Sequence, residues 1–190
     1  MKGYTYTIVF TFLISAILTT VLAVANQYYQ PKIQRNEEVA FKRAVLYVLD
    51  ITPETEDQVE TVFAQSIRAH SVDGAEVYVR EGQDGQIQGY AVLMYGSGVW
   101  GSIQGYLGVS ADRRVLLGIE FIAHSETPGL GGRIDESTYK EQFRGVPLLD
   151  RPISDGDVDG ITGATGTSNA VLRIVNNTID QLLPKLEVGL

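Results

Sequence analysis

The feature that most restricts the fold of this chain is a run of uncharged residues near its start. No charged residue lies between Lys2 and Lys32, and the most apolar part is Ile8–Ala25, IVFTFLISAILTTVLAVA. A helix of roughly 20 residues crosses the hydrocarbon core of a bilayer, so this run is long enough for one span. Tyrosines flank the run on both sides, as is typical of membrane interfaces. The sequence therefore predicts one transmembrane anchor in residues 1–30.

A cleaved signal peptide is the alternative interpretation of the same segment. Lys2 would form its basic end, and Ala23-Val24-Ala25 matches the small-x-small cleavage pattern. We favour the anchor because the apolar run is longer than a usual signal core and because Pro31–Asp50 continues it with helical character. Both interpretations export the rest of the chain. The basic residues after the span say little about orientation, since long domains translocate largely regardless of such charges.

Composition excludes several classes of function. The chain has 190 residues, a formal net charge of −8 and no cysteine. No cluster of Lys and Arg is present to neutralise phosphates, so we expect no nucleic-acid partner. The lack of cysteine removes disulfides, thiolate zinc sites and iron–sulfur clusters. No metal-binding motif and no catalytic group for substrate turnover stands out, so any redox chemistry requires an organic cofactor.

Residue patterns predict one α+β domain in residues 52–190, joined to the anchor by a juxtamembrane helix in residues 31–51. Thr52-Pro53-Glu54 has the features of a helix start: a hydroxyl cap, proline at the first position and an acid in the first turn. The apolar stripe of that helix has four members: Val59, Val62, Phe63 and Ile67.

Four strands are predicted, as two antiparallel hairpins in a mostly antiparallel sheet. The first pairs Ala75–Arg80 with Ile87–Tyr95 across the turn EGQDGQ, and the second pairs Ser102–Ser110 with Val115–His124 across ADRR. In the last strand two apolar sets alternate, which predicts a sheet covered on both sides. One set is Val115, Leu117, Ile119 and Phe121, and the other is Leu116 and Ile122.

The remaining elements are predicted to flank the sheet. A short helix is expected near Asp135–Phe143, followed by an irregular acidic stretch, Asp150–Gly160, and by a last helix from about Thr167 to Leu183. The periodicity of the last helix predicts one apolar face that packs on the sheet. That face is formed by Val171, Ile174, Val175, Ile179 and Leu182.

The loop before the last helix has the composition of an anion site. Residues 159–168 read DGITGATGTS, in which glycine and alanine let main-chain amides approach a ligand closely. The helix start adds unpartnered amides and a partial positive charge. Four hydroxyls supply further donors: Thr162, Thr165, Thr167 and Ser168. The loop therefore indicates a phosphate site that needs no lysine, with a simple helix cap as the alternative.

This loop resembles the flavin-attachment motif of a known family. The FMN-binding domain shared by the G subunit of the Rnf electron-transport complex and the C subunit of the sodium-pumping NADH:quinone reductase carries D-x-x-(S/T)-G-A-T before its last helix. Residues 159–165 fill every position of that motif. Residues 124–131, HSETPGLG, resemble a second family signature, and residues 98–101, GVWG, match its weaker G-x-W loop. The resemblance covers essentially the whole chain.

The resemblance implies an FMN esterified through its phosphate to Thr165. Thr167 is the rival acceptor, and Asp159 is expected to orient the acceptor hydroxyl or to cap the loop. A separate flavin transferase, which acts on the exported side in this family, would form the bond. The domain would therefore lie outside the cytoplasm. The other loop residues expected to contact the cofactor are Thr162, Gly163, Ala164 and Ser168.

The two other signatures are expected to contact the flavin ring. Leu130 would cover one ring face, while Glu126 and Thr127 would bond the polar edge or brace their loop. Trp100 would stack near the ring or pack in the core, and His124 would donate a proton or have a structural role. Residues 159–168 are called the attachment loop below. The predicted contacts outside it are Trp100, Glu126, Thr127, Gly129, Leu130 and Gly131.

The resemblance implies an electron-transfer subunit of the Rnf type in a bacterial or archaeal cytoplasmic (inner) membrane. Its FMN would relay electrons between two redox centres, and its partners would be other membrane subunits of the complex. The C subunit of the sodium-pumping reductase is the nearest rival, which the shortness of this chain disfavours. A stand-alone flavin reductase would be a rival enzyme, and a membrane-anchored binding module without redox chemistry would be a rival of a different class.

Overall fold

The chain begins with one long helix, α1 (Lys2–Val48), in a computed structural model that describes residues 2–72, 74–82, 84–148 and 151–188. Among these residues, α1 is the one helix long and apolar enough to cross a membrane, and none of its most apolar part is buried. The prediction that helical structure continues past the apolar run is confirmed, with Pro31 inside the helix. The chain divides into two compact units, Met1–Val39 and Ala40–Leu190.

An antiparallel sheet of five strands, within the described residues, forms the centre of the second unit. The strand order is β1-β2-β3-β4-β5. Both predicted hairpins are confirmed, as β2 with β3 and β4 with β5, and so is the α+β class. The strands are β1 (Ile67–Val72), β2 (Ala75–Glu81), β3 (Ile87–Ser97), β4 (Ser102–Ser110) and β5 (Leu116–His124).

The first strand and the helix before it differ from the prediction. A 3-10 turn leads into α2 (Val59–Ser66), so the predicted helix start at Thr52-Pro53-Glu54 is wrong. Ile67 does not belong to the apolar stripe of α2, because it is the first residue of β1. The four central residues of β1 are exposed. This edge strand therefore lacks the apolar alternation that marks a strand in a sequence.

A bulge in β5 changes the predicted faces of that strand. Leu117 is an extra residue in the pairing of β5 with β4. Leu116 and Ile119 consequently lie in one buried cluster, whereas Leu117 packs against the cluster on the other face. The prediction that Leu117 shares a face with Ile119 is wrong, because one inserted residue reverses the alternation.

Helices cover both faces of the sheet within Ala40–Leu190, as predicted. The final residues of α1, together with α2, cover one face through Ala44, Val45, Leu46, Val48, Leu49 and Val59. The last helix, α4 (Thr165–Val188), covers the other face through its predicted residues Val171, Ile174, Val175, Ile179 and Leu182. Since the strands are antiparallel, β3 ends, β4 begins and β5 ends at the same end of the sheet, where their loops meet the start of α4.

The segment between β5 and α4 is helical at first and then irregular. The short helix predicted near Asp135–Phe143 is present as α3 (Ser137–Lys140) between two 3-10 turns, Gly131–Asp135 and Glu141–Phe143. Helix α4 starts at Thr165, two residues earlier than predicted. Asp150, the predicted start of the acidic stretch, and Gln83, in the turn of the first hairpin, lie outside the described residues.

Candidate functional site

Three loops meet around the buried carboxylate of Glu126, which is 4% exposed. Its Oε1 accepts hydrogen bonds from the amides of Val99 at 2.8 Å and Trp100 at 3.1 Å. Its Oε2 accepts a hydrogen bond from the Thr167 hydroxyl at 2.5 Å. One side chain therefore joins the loop after β3, the loop after β5 and the first turn of α4. Of its two predicted roles, Glu126 performs the bracing one in this geometry.

The hydrogen bonds keep the Glu126 carboxylate charged despite its burial. Burial alone raises the pKa of this carboxyl, but the hydrogen bonds from the Thr167 hydroxyl and from two main-chain amides together outweigh burial and lower the pKa below its usual value. The negative charge lies beside the first turn of α4, where the helix macrodipole also favours an anion.

Two glycines leave the space that this convergence requires. A Cβ atom on Gly98 would overlap Oε1 of Glu126. A Cβ atom on Gly131 would lie 2.6 Å from the Thr167 hydroxyl oxygen and 2.7 Å from Oε2 of Glu126. Both distances are shorter than packed atoms tolerate. Gly131, predicted as a ring contact, is therefore needed for the close packing of the ETPGLG loop against α4.

Two of the four hydroxyls in the attachment loop are buried and hydrogen-bonded. Thr167 and Ser168 are each 3% exposed. The Thr167 hydroxyl is bound to Glu126. The Ser168 hydroxyl accepts a hydrogen bond from the Ile161 amide at 2.9 Å and donates to the Ala164 carbonyl at 3.2 Å. These two hydroxyls hold the loop together and are not accessible to a large reagent.

The remaining two hydroxyls, on Thr162 and Thr165, are exposed. Thr165 is the first residue of α4, where the amides of the first turn have no intrahelical partners. The turn before it contains Gly163 at φ +85° and closes through a 2.9 Å hydrogen bond from the Ala164 amide to the Ile161 carbonyl. An anion bound beside Thr165 would meet these amides and the positive end of the helix.

Asp159 lies at the start of the motif with an exposed side chain. Its main-chain amide donates to Oε1 of Gln142 at 2.8 Å. Within the described residues its carboxylate makes no hydrogen bond or ion pair, so it forms no loop-capping bond of the kind considered from the sequence.

Exposed apolar side chains border the attachment loop. A Cβ atom on Gly166 would lie 3.1 Å from the Val99 side chain, and one on Gly163 would lie 3.6 Å from the Leu130 side chain. Trp100 is 71% exposed, so the alternative that it packs in the core is wrong. Outside α1, the large hydrophobic side chains exposed among the described residues all lie in the second halves of β3 and β5 or in these loops: Leu93, Tyr95, Val99, Trp100, Ile122 and Leu130.

The ETPGLG loop is a tight turn stabilised by its own main chain. The Thr127 carbonyl accepts hydrogen bonds from the amides of Leu130 at 3.1 Å and Gly132 at 2.9 Å. Gly129 has φ +75°, a conformation that favours glycine. The Thr127 side chain is exposed, so it is accessible to a ligand at this loop.

His124 uses both ring nitrogens within the protein. Nδ1 accepts a hydrogen bond from the Glu126 amide at 3.2 Å, so a neutral ring carries its hydrogen on Nε2. Nε2 lies 2.9 Å from a carboxylate oxygen of Asp135. The ring therefore links the start of the ETPGLG loop to the following 3-10 turn, which is a structural contact.

The hydrogen-bond donors and the exposed apolar side chains of this site fit FMN. Exposed hydroxyls and free amides at the start of α4 suit a phosphate, and the neighbouring Val99, Trp100 and Leu130 offer apolar surface for a flat ring. Sequence reasoning missed Gln142, which binds the main chain of the motif from a position 17 residues away. It also missed the pairing of Glu126 with Thr167, which are separated by 41 residues. No local pattern indicates either contact.

Comparison with known proteins gives a consistent result. The FMN-binding domain family matches residues 98–180, which contain all three signatures. The chain is 30% identical over 188 residues to the G subunit of the ion-translocating oxidoreductase complex of Methanosarcina acetivorans, and the match covers 94% of both chains. It is 35% identical over 115 residues to the C subunit of the Na(+)-translocating NADH-quinone reductase of Yersinia pestis. That match covers 53% of this chain and 43% of the relative, so this chain spans less than half of that protein.

The fold is also similar to a solved structure. The C subunit of the Na(+)-translocating NADH-quinone reductase from Parabacteroides distasonis superimposes with a TM-score of 0.68 at 22% identity, covering 83% of this chain and 97% of that chain. Fold and site thus define a membrane-anchored protein with an FMN-binding domain. The chain belongs to the family of the G subunit of ion-translocating oxidoreductase complexes.

Proposed function

We propose that this chain is the electron-transfer subunit of an Rnf-type ion-translocating oxidoreductase and carries one FMN as a redox relay. The relative from Methanosarcina acetivorans is named as the G subunit of such a complex, and the correspondence runs along both chains. The match to the quinone reductase of Yersinia pestis covers only part of each chain, which favours the Rnf type. The partners are other membrane subunits of the complex.

The FMN is proposed to be bound covalently, through its phosphate, to the hydroxyl of Thr165. The observation that carries this assignment is the contrast between the two candidate acceptors. Thr165 is exposed at the first residue of α4, whereas the Thr167 hydroxyl is buried against Glu126. A reagent the size of a flavin nucleotide reaches the first hydroxyl without unfolding the loop, and it does not reach the second.

The residues around Thr165 have separate tasks in this proposal. The amides at the start of α4 and the Thr162 hydroxyl bind the phosphate. Val99, Trp100 and Leu130 shield the ring from water, and Glu126 keeps their loops together. The bound flavin itself supplies reversible electron transfer, which protein side chains do not provide.

Attachment requires a separate flavin transferase and an activated donor. A free phosphate monoester does not esterify a hydroxyl in water, so the donor is an FMN whose phosphate forms an anhydride, as in a flavin dinucleotide. The Thr165 oxygen forms a bond to phosphorus, the anhydride bond breaks, and its electron pair leaves with the departing nucleotide. The hydroxyl proton passes to water. In this proposal Asp159 orients the acceptor. The transferase acts on the extracytoplasmic side, as the family resemblance implies, so the domain is proposed to lie on that side.

The test is an intact mass measurement on the full chain, coexpressed with a flavin transferase. We expect the wild type to gain the mass of one FMN less one water, and Thr165→Val to show no such gain. Thr162→Val and Thr167→Ser, which keep the Thr165 hydroxyl, should retain it. FMN retained in Thr165→Val and located on Thr167 by peptide mapping would refute the acceptor assignment. A wild type that gains no mass beside an active transferase would refute the redox function.

A further inference from the structure

Two side-chain amides hold the acidic loop of residues 151–160 at its two ends. Asn176 on α4 accepts from the Ile153 amide at 2.8 Å and donates to the Ile153 carbonyl at 2.9 Å. Gln142 accepts from the Asp159 amide at 2.8 Å, and its Nε2 donates to the Asp159 carbonyl over a longer 3.5 Å. Each amide thus bonds both main-chain groups of one residue, as a neighbouring strand would.

Gln142 extends from a well-fixed part of the main chain. It is the middle residue of the 3-10 turn Glu141–Phe143. Phe143 is fully buried in the main core. On the other side, Glu141 forms an ion pair with Nε of Arg144 at 2.9 Å. The main chain of Gln142 is therefore held by the core, and its side-chain amide links Asp159 to this fixed segment.

Asp157 and Asp159 of this loop differ in the contacts that their carboxylates make. Asp157 binds both terminal nitrogens of Arg151 at 2.7 Å and also accepts from Ser154, so its carboxylate stabilises the loop. The Asp159 carboxylate makes no such bond within the described part of the chain, although its main chain is held on both sides. A fixed main chain with an exposed, unengaged carboxylate presents that carboxylate to a partner.

The loop is also fixed on the far side of Asp159. The Ile161 amide is bonded to the Ser168 hydroxyl on α4, and the turn that follows closes at Ala164. Gly160 alone separates this fixed part from the residue that Gln142 holds. Because glycine is the most flexible residue type, the Gln142 contact decides where the Asp159 carboxylate lies relative to the Thr165 hydroxyl.

We infer that Gln142 is a positioning residue for flavin attachment, acting through Asp159. This inference rests on the proposed function, because it assigns a residue to the transfer of FMN to Thr165. Within the described residues the side chain of Gln142 bonds the main chain of Asp159 and makes no hydrogen bond to the Thr165 hydroxyl. It keeps the one exposed carboxylate of the attachment motif in a fixed place when the transferase engages the loop, so its loss slows attachment without changing the acceptor.

The test follows the rate of attachment in apo-protein made without a transferase. The full chain in detergent is mixed with limiting transferase and a flavin dinucleotide, and intact mass is recorded over time. Small displacements of reacting groups cost up to two orders of magnitude in rate. We expect Gln142→Ala to slow attachment about tenfold, with FMN still found on Thr165. Asn176→Ala removes the matched contact at the other end of the loop and should change the rate by less than about twofold.

A double-mutant cycle separates positioning from general stability. In an Asp159→Asn background, Gln142→Ala should slow attachment by less than about twofold, because the group that it positions is already lost. Thermal unfolding midpoints of all apo-variants are measured in parallel. The inference is overturned if Gln142→Ala and Asn176→Ala slow attachment equally. It is also overturned if Gln142→Ala slows attachment as strongly in the Asp159→Asn background as in the wild type. A wild type that accepts no flavin overturns the proposed function itself, which is a separate outcome.

Discussion

Glu126 places a negative charge inside the protein and surrounds it with donors. Its ionised form accepts three hydrogen bonds, from two main-chain amides and from Thr167, and these bonds lower its pKa. A carboxylate is suited to this place because all its neighbours donate. Any replacement that introduces a donor leaves at least one buried donor unpaired, at a cost of about 1–3 kcal/mol.

We therefore predict that Glu126→Gln destabilises the protein at neutral pH by about 1–3 kcal/mol. The lowered pKa in the folded state means that the carboxylate stabilises the fold above its ordinary pKa of 4.5, and that this stability is lost as the pH falls through the lowered pKa. The difference between wild type and variant should thus shrink in acid. Thermal unfolding of the full chain in detergent, from neutral to acid pH, measures this.

Thr162→Val is the control for that experiment. It removes an exposed hydroxyl from the same loop and should change stability by no more than about 0.5 kcal/mol. If the stability difference between wild type and Glu126→Gln stays constant over the whole pH range, the role assigned to the charge is contradicted.

At the scale of elements, the end of α1 is bound to the sheet domain by two arginines. Arg144 donates to the Tyr47 carbonyl at 2.9 Å and to the Leu117 carbonyl at 2.7 Å, at the bulge of β5. Arg80 donates to the Leu49 carbonyl at 2.5 Å. These cations bind carbonyls at and just after the helix end, where the macrodipole is negative, and the Tyr47 carbonyl also accepts a hydrogen bond from the Asp50 amide at 3.1 Å. The guanidinium of Arg144 also lies 4.5 Å from the centre of the Tyr47 ring.

Arg144→Ala is accordingly expected to lower stability by about 1–3 kcal/mol, since it leaves main-chain acceptors without their charged donor. Thermal unfolding in detergent measures this. For a chain of this size, each kcal/mol of lost stability lowers the unfolding midpoint by about 2–4 °C. Arg173→Ala on α4 is the matched control, because Arg173 is exposed and makes no ion pair among the described residues. Equal effects of the two substitutions would show that the helix end does not depend on Arg144.

The strands and helices also show which features of the fold local sequence patterns can predict. The hairpins and the apolar face of α4 were predictable because alternation and helical periodicity are local properties. The edge strand β1 was not, because four exposed residues remove its alternation and only pairing with β2 makes it a strand. The bulge at Leu117 could not be predicted either, since one extra residue reverses which side chains of β5 lie on each face of the sheet without changing the composition.

For the molecule as a whole, the chain's lack of cysteine makes its membrane orientation directly testable. Asp155 is an exposed residue of the acidic loop, and Asp155→Cys should react with a membrane-impermeant maleimide in intact cells or spheroplasts. Gly3→Cys, before the apolar run, should react only after the membrane is permeabilised. The physical reason is that a charged reagent does not cross the hydrocarbon core. Mass or gel shift of the purified protein measures labelling.

The cysteine-free parent chain is the control for reagent specificity. Labelling of Asp155→Cys only after permeabilisation would place the domain in the cytoplasm and contradict the proposed orientation. Labelling of both variants in intact cells would contradict a single membrane-spanning anchor.

The sequence by itself determined the apolar run, both hairpins and the attachment motif, because each depends on residues that are neighbours in the chain. Only the tertiary structure decided which hydroxyl of that motif is free. Thr165 and Thr167 are two residues apart and chemically identical, and they differ because a carboxylate 41 residues away, Glu126, packs against the second. Burial and hydrogen-bond partnership between distant residues arise only when strands and helices pack, so no local pattern contains them.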